Sequence, residues 1–385
     1  MNIDVVQTVI YSSMLGATAL ALVDICTREK QKPTIFLGAL LSLLMLNILG
    51  ELFFYSGAYQ YAPSLVGAQL PIRMLLGPAL YLYAYACMSP NKAPSQRTYL
   101  IALTGPLLAI LPMLPFVFGL SSAEKLALAD PLTRNPEHYK LGILMCVGTM
   151  LVFVIFTGLY LAATLKLHRR HCQQLMEKFS SIERQSMGWF RVVLILWGVA
   201  WFMYSVEYVM VFFGWRWFGT GVVLPLFEAL VLVAFAHLAL KQSVLDDSEK
   251  GKPQQSNTRS TMLSEQRMAQ IAADLKNVML ENQIFMEEEL SLNKLSNAVN
   301  ISENHISETL SQFLHMNFFH FVNSYRIELA KTLLLTTDKL VSTIAYEVGF
   351  NSKSTFNTAF KKQTGLTPSV FKKQQKSISD EKILN

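Results

Sequence analysis

The sequence predicts an all-α protein in two physical regimes: seven long apolar helices, then a polar domain of short helices arranged as two helix-turn-helix units. Three observations predict this. Long apolar runs dominate as far as Leu240, and the text turns polar from Lys241. Seven of those runs are long enough to span hydrocarbon as helices, which takes roughly 20 residues for a core of about 30 Å. After Leu290, short apolar stripes of helical period alternate with Ser, Asn, Gly and Pro punctuation.

The 385 residues are 52% apolar and only 16% charged, where an ordinary soluble domain is about 25% charged. The net charge of +6 does not by itself point to nucleic acid, so the placement of the charges has to carry that argument. Cys26, Cys87, Cys146 and Cys172 form no CxxC pair and have no His/Cys cluster around them, which argues against a zinc site or a disulfide framework. There is no HExxH, no Gly-rich phosphate loop and no paired-carboxylate motif. "SSIERQS" and the scattered histidines lack partners for nucleophilic catalysis. Neither an enzymatic activity nor a cofactor nor a metal is expected.

The apolar runs place spans near 5–23, 34–57, 66–88, 98–120, 141–165, 190–213 and 218–240. The first differs from a signal peptide because "MNIDVVQ" has Asp4 and no cation, so it reads as a retained helix. With the N-terminus outside, the inner loops hold eleven cations: Arg28, Lys30, Lys32, Lys92, Arg97, Lys166, Arg169, Arg170, Lys178, Arg184 and Arg191. The outer loops hold four, Lys125, Arg134, Lys140 and Arg216. Positive charge accumulates on the cytoplasmic side. The expectation is therefore a multi-pass protein of a bacterial inner membrane, N-terminus outside and C-terminal domain in the cytoplasm.

Glu51, Arg73, Glu207 and Glu228 fall within spans, where charge costs several kcal/mol and usually faces a bundle interior. Asn47 lies one turn from Glu51 on the same face. One reading is a polar pocket for an unidentified small-molecule or membrane signal. The other is a structural Glu–Arg pair with side chains that snorkel to water.

Residues 241–262, "KQSVLDDSEKGKPQQSNTRSTM", cannot bury a core and read as a flexible tether. In 263–286, Ser264 stands at an N-cap position, and Met268, Ile271, Leu275, Val278, Asn282 and Phe285 recur at spacings of 3 and 4. That seam reads either as a short coiled coil, giving a homodimer through 264–286 with Asn282 setting register, or as one amphipathic helix packed on the domain that follows.

The segment 287–376 reads as a run of capped helices, with 377–385 as a tail. Ser291 caps "LNKLSNAV", with Leu292, Leu295, Ala298 and Val299 on one face. "NIS" breaks the chain, and Ser302 caps "ENHISETLSQFL", with a stripe of Ile306, Leu310, Phe313 and Leu314. A helix over about 317–336 follows, its stripe Phe318, Val322, Tyr325, Leu329 and Leu333. The pattern then repeats. Ile344, Ala345 and Val348 are buried, Gly349 ends the helix, and Ser352 caps a helix that buries Phe356 and Phe360. Gly365 stops that helix, Thr367–Pro368 opens the last one, and Phe371 anchors it.

On these residues the resemblance is plain. "YEVGFNSKSTFNTAFKKQTGLTPSVFKK" resembles the second helix-turn-helix of the AraC/XylS family of bacterial transcription regulators, and "NFFHFVNSYRIELAKTLLL" resembles its connecting helix. The resemblance spans about 276–375. It implies a double helix-turn-helix DNA-binding domain, and some members of the family are similar in carrying a multi-span region before it. With the seven apolar runs, the chain is expected to be all-α, a seven-helix transmembrane bundle followed by that domain in the cytoplasm.

With Phe356 and Phe360 inward, about 100° per residue turns Ser354, Asn357, Thr358 and Lys361 outward, with Lys353 at the helix start. With Ile306 and Leu310 inward, Asn304, Ser307, Glu308 and Ser311 face outward. The family's base contacts fall on Asn304, Ser307, Glu308, Lys353, Ser354, Asn357 and Thr358. Asn suits adenine, Ser and Thr either base, and Glu the cytosine amino group; the alternative is ordinary solvated polar residues. Lys353, Lys361, Lys362, Lys372, Lys373 and Lys376 stand between Gly349 and Lys376 with no acid among them, which favours the second unit as the stronger grip on phosphate. Over 262–385, however, 13 basic residues meet 13 acidic ones, so the domain alone is expected to bind double-stranded DNA weakly.

The function expected is a membrane-tethered regulator that couples a signal sensed in the bilayer to promoter binding. The alternative is a membrane transporter or receptor whose helical tail is a protein-interaction module.

Overall fold

The computed structural model describes residues 4–65, 68–89, 93–129, 140–183, 185–212, 221–242 and 263–375, leaving aside the side chains of 112, 115–117, 128–129, 140–146, 207–209 and 211–212. Every regular element among the described residues is helical. The tether from 243 to 262, the tail, and Lys92, Arg134, Arg184, Arg216 and Lys376 lie outside the described residues, as do the side chains of Cys146 and Lys140. The chain divides into two compact units: residues 1–169 with 188–244, and residues 170–187 with 245–385.

The first unit is built from α1 (Val5–Thr27), α2 (Lys32–Tyr55), α3 (Gln69–Met88), α4 (Gln96–Gly119), α5 (Ser122–Ala129), the body of α6 (Lys140–Lys178), α7 (Gly188–Phe212) and α8 (Val223–Lys241). Six helical segments among the described residues are long and apolar enough to cross a membrane, namely Val5–Thr27, Lys32–Tyr55, Pro63–Met88, Val147–Lys178, Gly188–Val206 and Val223–Lys241. The expected span at 98–120 coincides with the 24-residue α4, but part of that helix is outside the described side chains and it is not among the six. Seven spans thus become six by this measure.

Aliphatic and aromatic residues make this unit's core. Leu40, Leu41, Ile48, Met74, Tyr83, Phe190 and Phe235 are almost wholly buried. The ring of Tyr83 meets those of Phe190 and Phe235 edge-on at 6.1 and 6.0 Å. Leu20, Leu100, Leu159, Phe202 and Leu230 are largely exposed.

One helix exceeds its expected length. α6 runs 39 residues, to Lys178, where hydropathy alone places the end of the span near 165. The added turns carry Lys166, Arg169, Arg170 and Lys178. They are polar, so a search for apolar runs passes over them.

The second unit begins with the end of that helix, Arg170–Lys178, and the segment to Met187. The rest comprises α9 (Glu265–Glu281), α10 (Leu292–Val299), α11 (Glu303–Glu308), α12 (Phe318–Thr336), α13 (Val341–Glu347) and α14 (Lys353–Thr364), with helical residues at 368–375. The expected caps form: Ser264, Ser291, Ser302 and Ser352 accept hydrogen bonds from the backbone N–H of Arg267, Lys294, His305 and Thr355. Each satisfies a donor that a helix start leaves unpaired.

Two apolar cores result. The first joins Ile271, Leu275 and Met279 of α9 to Leu295, Ile306, Leu310 and Val322. The second joins Ile327, Ala330 and Leu334 of α12 to Ile344, Val348, Phe350, Phe356 and Phe360. α12 feeds both, so it is the beam that carries two helix-turn-helix units.

Two expectations change and one choice narrows. Of the two readings of 263–286, the amphipathic helix packed on the following residues is the one seen: α9 ends at Glu281 with Asn282 as its C-cap, and Phe285 enters a 3-10 turn, Ile284–Met286. The α9 stripe is Ile271, Leu275 and Met279, spent within the unit's own core. Ala298 is exposed, because α10 needs only Leu292 and Leu295 to close its short face. The stripe on α12 holds at its start and turns further on: Phe318 and Val322 are buried as expected, Phe321, Asn323, Arg326 and Ile327 are buried beside them, and Tyr325, Leu329 and Leu333 are only partly so.

Candidate nucleic-acid interface

In the second helix-turn-helix, α13 ends at Glu347 with Val348 as its C-cap, and the chain turns at Gly349, whose φ is +96°. A Cβ there would stand 2.7 Å from the carbonyl oxygen of Met286, so only glycine fits this approach of two backbones. Phe350 then drops into the core and meets Phe356 edge-on at 5.4 Å. Phe356, Phe360 and Phe371 continue the chain of ring contacts at 5.6 and 5.4 Å. Gly365, φ +79°, stops α14.

These anchors fix which face of α14 is free. Lys353, Ser354, Thr358, Lys361 and Lys362 are exposed, and Asn357 is half-buried. The Thr358 hydroxyl donates to the carbonyl of Ser354 at 2.9 Å, on an exposed part of the helix. α14 is also braced from behind. Gln363 donates to Glu328 of α12 at 2.9 Å. Lys362 Nζ lies 2.6 Å from His320 Nε2. Lysine has no acceptor, so that ring nitrogen accepts and the ring proton sits on Nδ1. Burial and the neighbouring Lys362 charge hold His320 below the usual histidine range. Lys362 is therefore partly committed to the scaffold, whereas Lys361 is not so braced by any hydrogen bond among the described residues.

The first helix-turn-helix is less regular. Asn300, φ +53°, closes α10, and Ile301 N–H donates to the carbonyl of Ser296. α11 is a six-residue helix followed by a π turn, Thr309–Phe313. The sequence stripe anticipated one continuous helix. The π turn follows from local packing: Leu314 N–H reaches the carbonyl of Thr309 and Met316 N–H that of Leu310. Phe313 is consequently only half-buried. Asn304 and Ser311 are exposed, and Ser307 and Glu308 half-buried. The four predicted residues thus share this region without one clean exposed stripe, since the π turn rotates Ser311 relative to the rest.

Arg326 is the site residue that pattern reading missed. It is fully buried on α12. Its Nε donates to the carbonyl of Phe285 at 2.7 Å and Nη2 to that of Glu287 at 2.7 Å. Its guanidinium lies 5.4 Å from the centre of the Phe350 ring. One planar fork thus holds the turn before the first unit and the core of the second. Burial pushes its pKa down to about 10, opposed by Glu183 and Glu288, so it remains charged at neutral pH. The available signal was an Arg in a helix position flanked by apolar residues, but a charged residue in a helix is ordinarily read as solvated.

In the apolar unit, Arg73 receives the predicted partners Glu51 and Asn47. It forms an ion pair with Glu51, and its Nε donates to Asn47 Oδ1 at 3.0 Å. The guanidinium stacks 4.6 Å above the Tyr204 ring. Tyr11 donates to Glu228 at 3.4 Å, and both line the same small cavity of about 60 Å³ as Arg73, Asn47 and Tyr204. The side chain of Glu207 lies outside the described residues.

Comparison with known proteins agrees with this geometry at the C-terminus. Residues 295–374 match the model of a helix-turn-helix domain family. An "uncharacterized HTH-type transcriptional regulator" of Staphylococcus aureus is 37% identical over 98 residues, which is 26% of this chain and 13% of that protein. A second, YtdP of Bacillus subtilis, carries the same description and is 30% identical over 92 residues, 24% of this chain and 12% of that protein. The C-terminal domain of AraT, a response regulator from Geobacillus stearothermophilus, is 28% identical, covering 27% of this chain and 84% of that structure, with a TM-score of 0.25. The chain thus spans about an eighth of the length of the curated relatives it matches. The C-terminal region of this protein, residues 295–374, is a helix-turn-helix domain of the AraC type.

Proposed function

We propose that this protein is a membrane-tethered transcription regulator, whose apolar unit senses a signal and whose C-terminal unit binds promoter DNA sequence-specifically. The observation that carries the DNA reading is α14: a helix pinned by Phe356 and Phe360 that turns Lys353, Ser354, Asn357, Thr358 and Lys361 outward, with no acid on that face. In this reading Asn304, Ser307, Glu308 and Ser311 are the first unit's contacts. Lys362 adds phosphate attraction from its place beside His320. The 19 residues of α12 make a beam of about 28 Å. Successive major-groove faces are about 34 Å apart, so both units reach one side of a duplex.

Membrane tethering is supported by the six apolar helices and by side chains such as Leu20 and Leu230 that remain exposed on them, a surface suited to lipid. The cation bias of eleven against four favours the C-terminal unit in the cytoplasm of an inner-membrane protein. The Arg73–Glu51–Asn47 group with Glu228 is the proposed signal pocket, with Glu207 added on sequence grounds. The balanced charge of 262–385 favours a second reading, a transporter or receptor whose tail binds protein.

Full-length protein in lipid nanodiscs, titrated with duplexes selected from a random pool, separates the two. The regulator binds selected duplexes at least tenfold more tightly than scrambled ones, with affinity falling steeply with salt. Equal binding to both, or none at low salt, overturns it.

A further inference from the structure

The second unit contains a piece of chain that its sequence position does not suggest. Residues 170–187 separate two apolar helices, yet they belong with the helix-turn-helix residues. The segment is folded back on itself: His171 Nε2 lies 3.2 Å from the Gln185 carbonyl, and Cys172 Sγ is 3.8 Å from that of Ser186. At its tip, Phe179 forms an antiparallel bridge with Ser291. The Ser180 N–H donates to the Leu290 carbonyl at 3.1 Å, and its hydroxyl to the same oxygen at 2.8 Å. Asn323 Nδ2 donates to the Ser180 carbonyl at 3.2 Å, and Arg326 Nη2 to the Ser180 hydroxyl at 3.1 Å.

Ser180, Leu290, Asn323 and Arg326 are all buried, so these bonds form away from water, where an unmade partner is costly. Ser180 uses its N–H, its carbonyl and its hydroxyl on this one place. An incidental surface contact does not engage every polar group of a residue. The guanidinium it touches is also the one that holds the carbonyls of Phe285 and Glu287 and faces Phe350.

We propose that the groove between the Leu290–Ser291 edge and α12 is a docking site for the chain's own segment 170–187, and that seating Ser180 there sets the relative orientation of the two helix-turn-helix units. The segment comprises the last turns of α6 and the chain that follows them. The proposal rests on the DNA-binding reading for its purpose, while its geometry is independent of it.

The test uses full-length protein in nanodiscs, with the native cysteines replaced by serine. Spin labels at Asn297→Cys on α10 and Thr343→Cys on α13 report the distance between the two units. The parent gives one narrow distance distribution, which Ser180→Ala broadens and Ser180→Pro shifts by several ångströms, with helicity by circular dichroism unchanged. Distributions that match the parent in both variants overturn the proposal. If Ser180→Pro unfolds, Ser180→Ala, which keeps the backbone, decides alone. Separately, Phe179→Cys with Ser291→Cys forms a disulfide on mild oxidation and Gln174→Cys with Ser291→Cys does not; failure of the first pair also overturns it. Absence of selective DNA binding by parent and variants alike counts against the DNA reading and leaves these two readouts standing.

Discussion

Arg326 Nε and the carbonyl of Phe285 meet at 2.7 Å in the interior of the helix-turn-helix module, 41 positions apart in the chain. The bond ties the middle of α12 to the turn that precedes the first unit. It is charge-assisted and buried, which places it among the stronger hydrogen bonds a protein makes.

Replacing Arg326 by Met strands the buried carbonyl of Phe285, at about 1–3 kcal/mol, and removes a partner from the carbonyl of the exposed Glu287. The module should then unfold at markedly lower denaturant, read by the protection of amides in 284–291 from hydrogen exchange. Arg326→Lys should fall between, since an ammonium keeps the charge without the planar fork. A Met variant as protected as the parent would remove Arg326 from its central role.

Gly349 and Gly365 both have positive φ, but only Gly349 has backbone 2.7 Å from where a Cβ would sit. Gly365→Ala should therefore cost about 1–2 kcal/mol, the left-handed backbone penalty alone. Gly349→Ala should cost distinctly more, because Met286 must also move. Equal losses of stability in chemical denaturation would deny the close approach.

His320 is held below the ordinary histidine value by burial and by Lys362. An unfolded chain then binds a proton on this side chain before the folded one does. Its contribution to stability is complete above about pH 6.5, the unfolded value, and is lost as pH falls through that value toward the lower folded one. His320→Gln should flatten this part of the stability profile between pH 7 and 5. A profile that keeps its slope in the variant assigns the effect elsewhere.

On α14, Lys353→Ala and Thr358→Ala should each relax base preference by about 1–3 kcal/mol, seen as changed footprints or altered selected sequences. Lys361→Ala should instead weaken binding to all duplexes alike and lower the salt slope by about one. The reverse pattern would swap the roles of these residues.

For topology, a reporter fused after His237 should register as cytoplasmic, and one fused near Asn135 as external, following the cation bias. Exchange of the two signals would place the C-terminal unit away from DNA.

Much of the module was legible because its signals are local. A serine cap, a glycine stop and phenylalanines one turn apart act within a few residues, so Ser352, Gly365, Phe356 and Phe360 stand where pattern reading puts them. The pairing of Arg73 with Glu51 was likewise legible, since two opposite charges in apolar spans seek each other. The less legible parts are non-local or irregular. The π turn at Thr309–Phe313 preserves the spacing of apolar letters while changing the ladder beneath them. The extension of α6 is written in polar residues that a hydropathy window ignores.

The sequence by itself determined the all-helical class, the apolar and polar regimes, and the ends of most short helices, because helical period, span length and capping are properties of neighbouring residues. Only the tertiary structure decided that Arg326 is buried, that Gly349 lies against Met286, and that Ser180 belongs with residues more than a hundred positions away. Those depend on which backbone carbonyls come to face a guanidinium or a missing Cβ, and carbonyls are identical in every residue type, so the letters alone do not mark them.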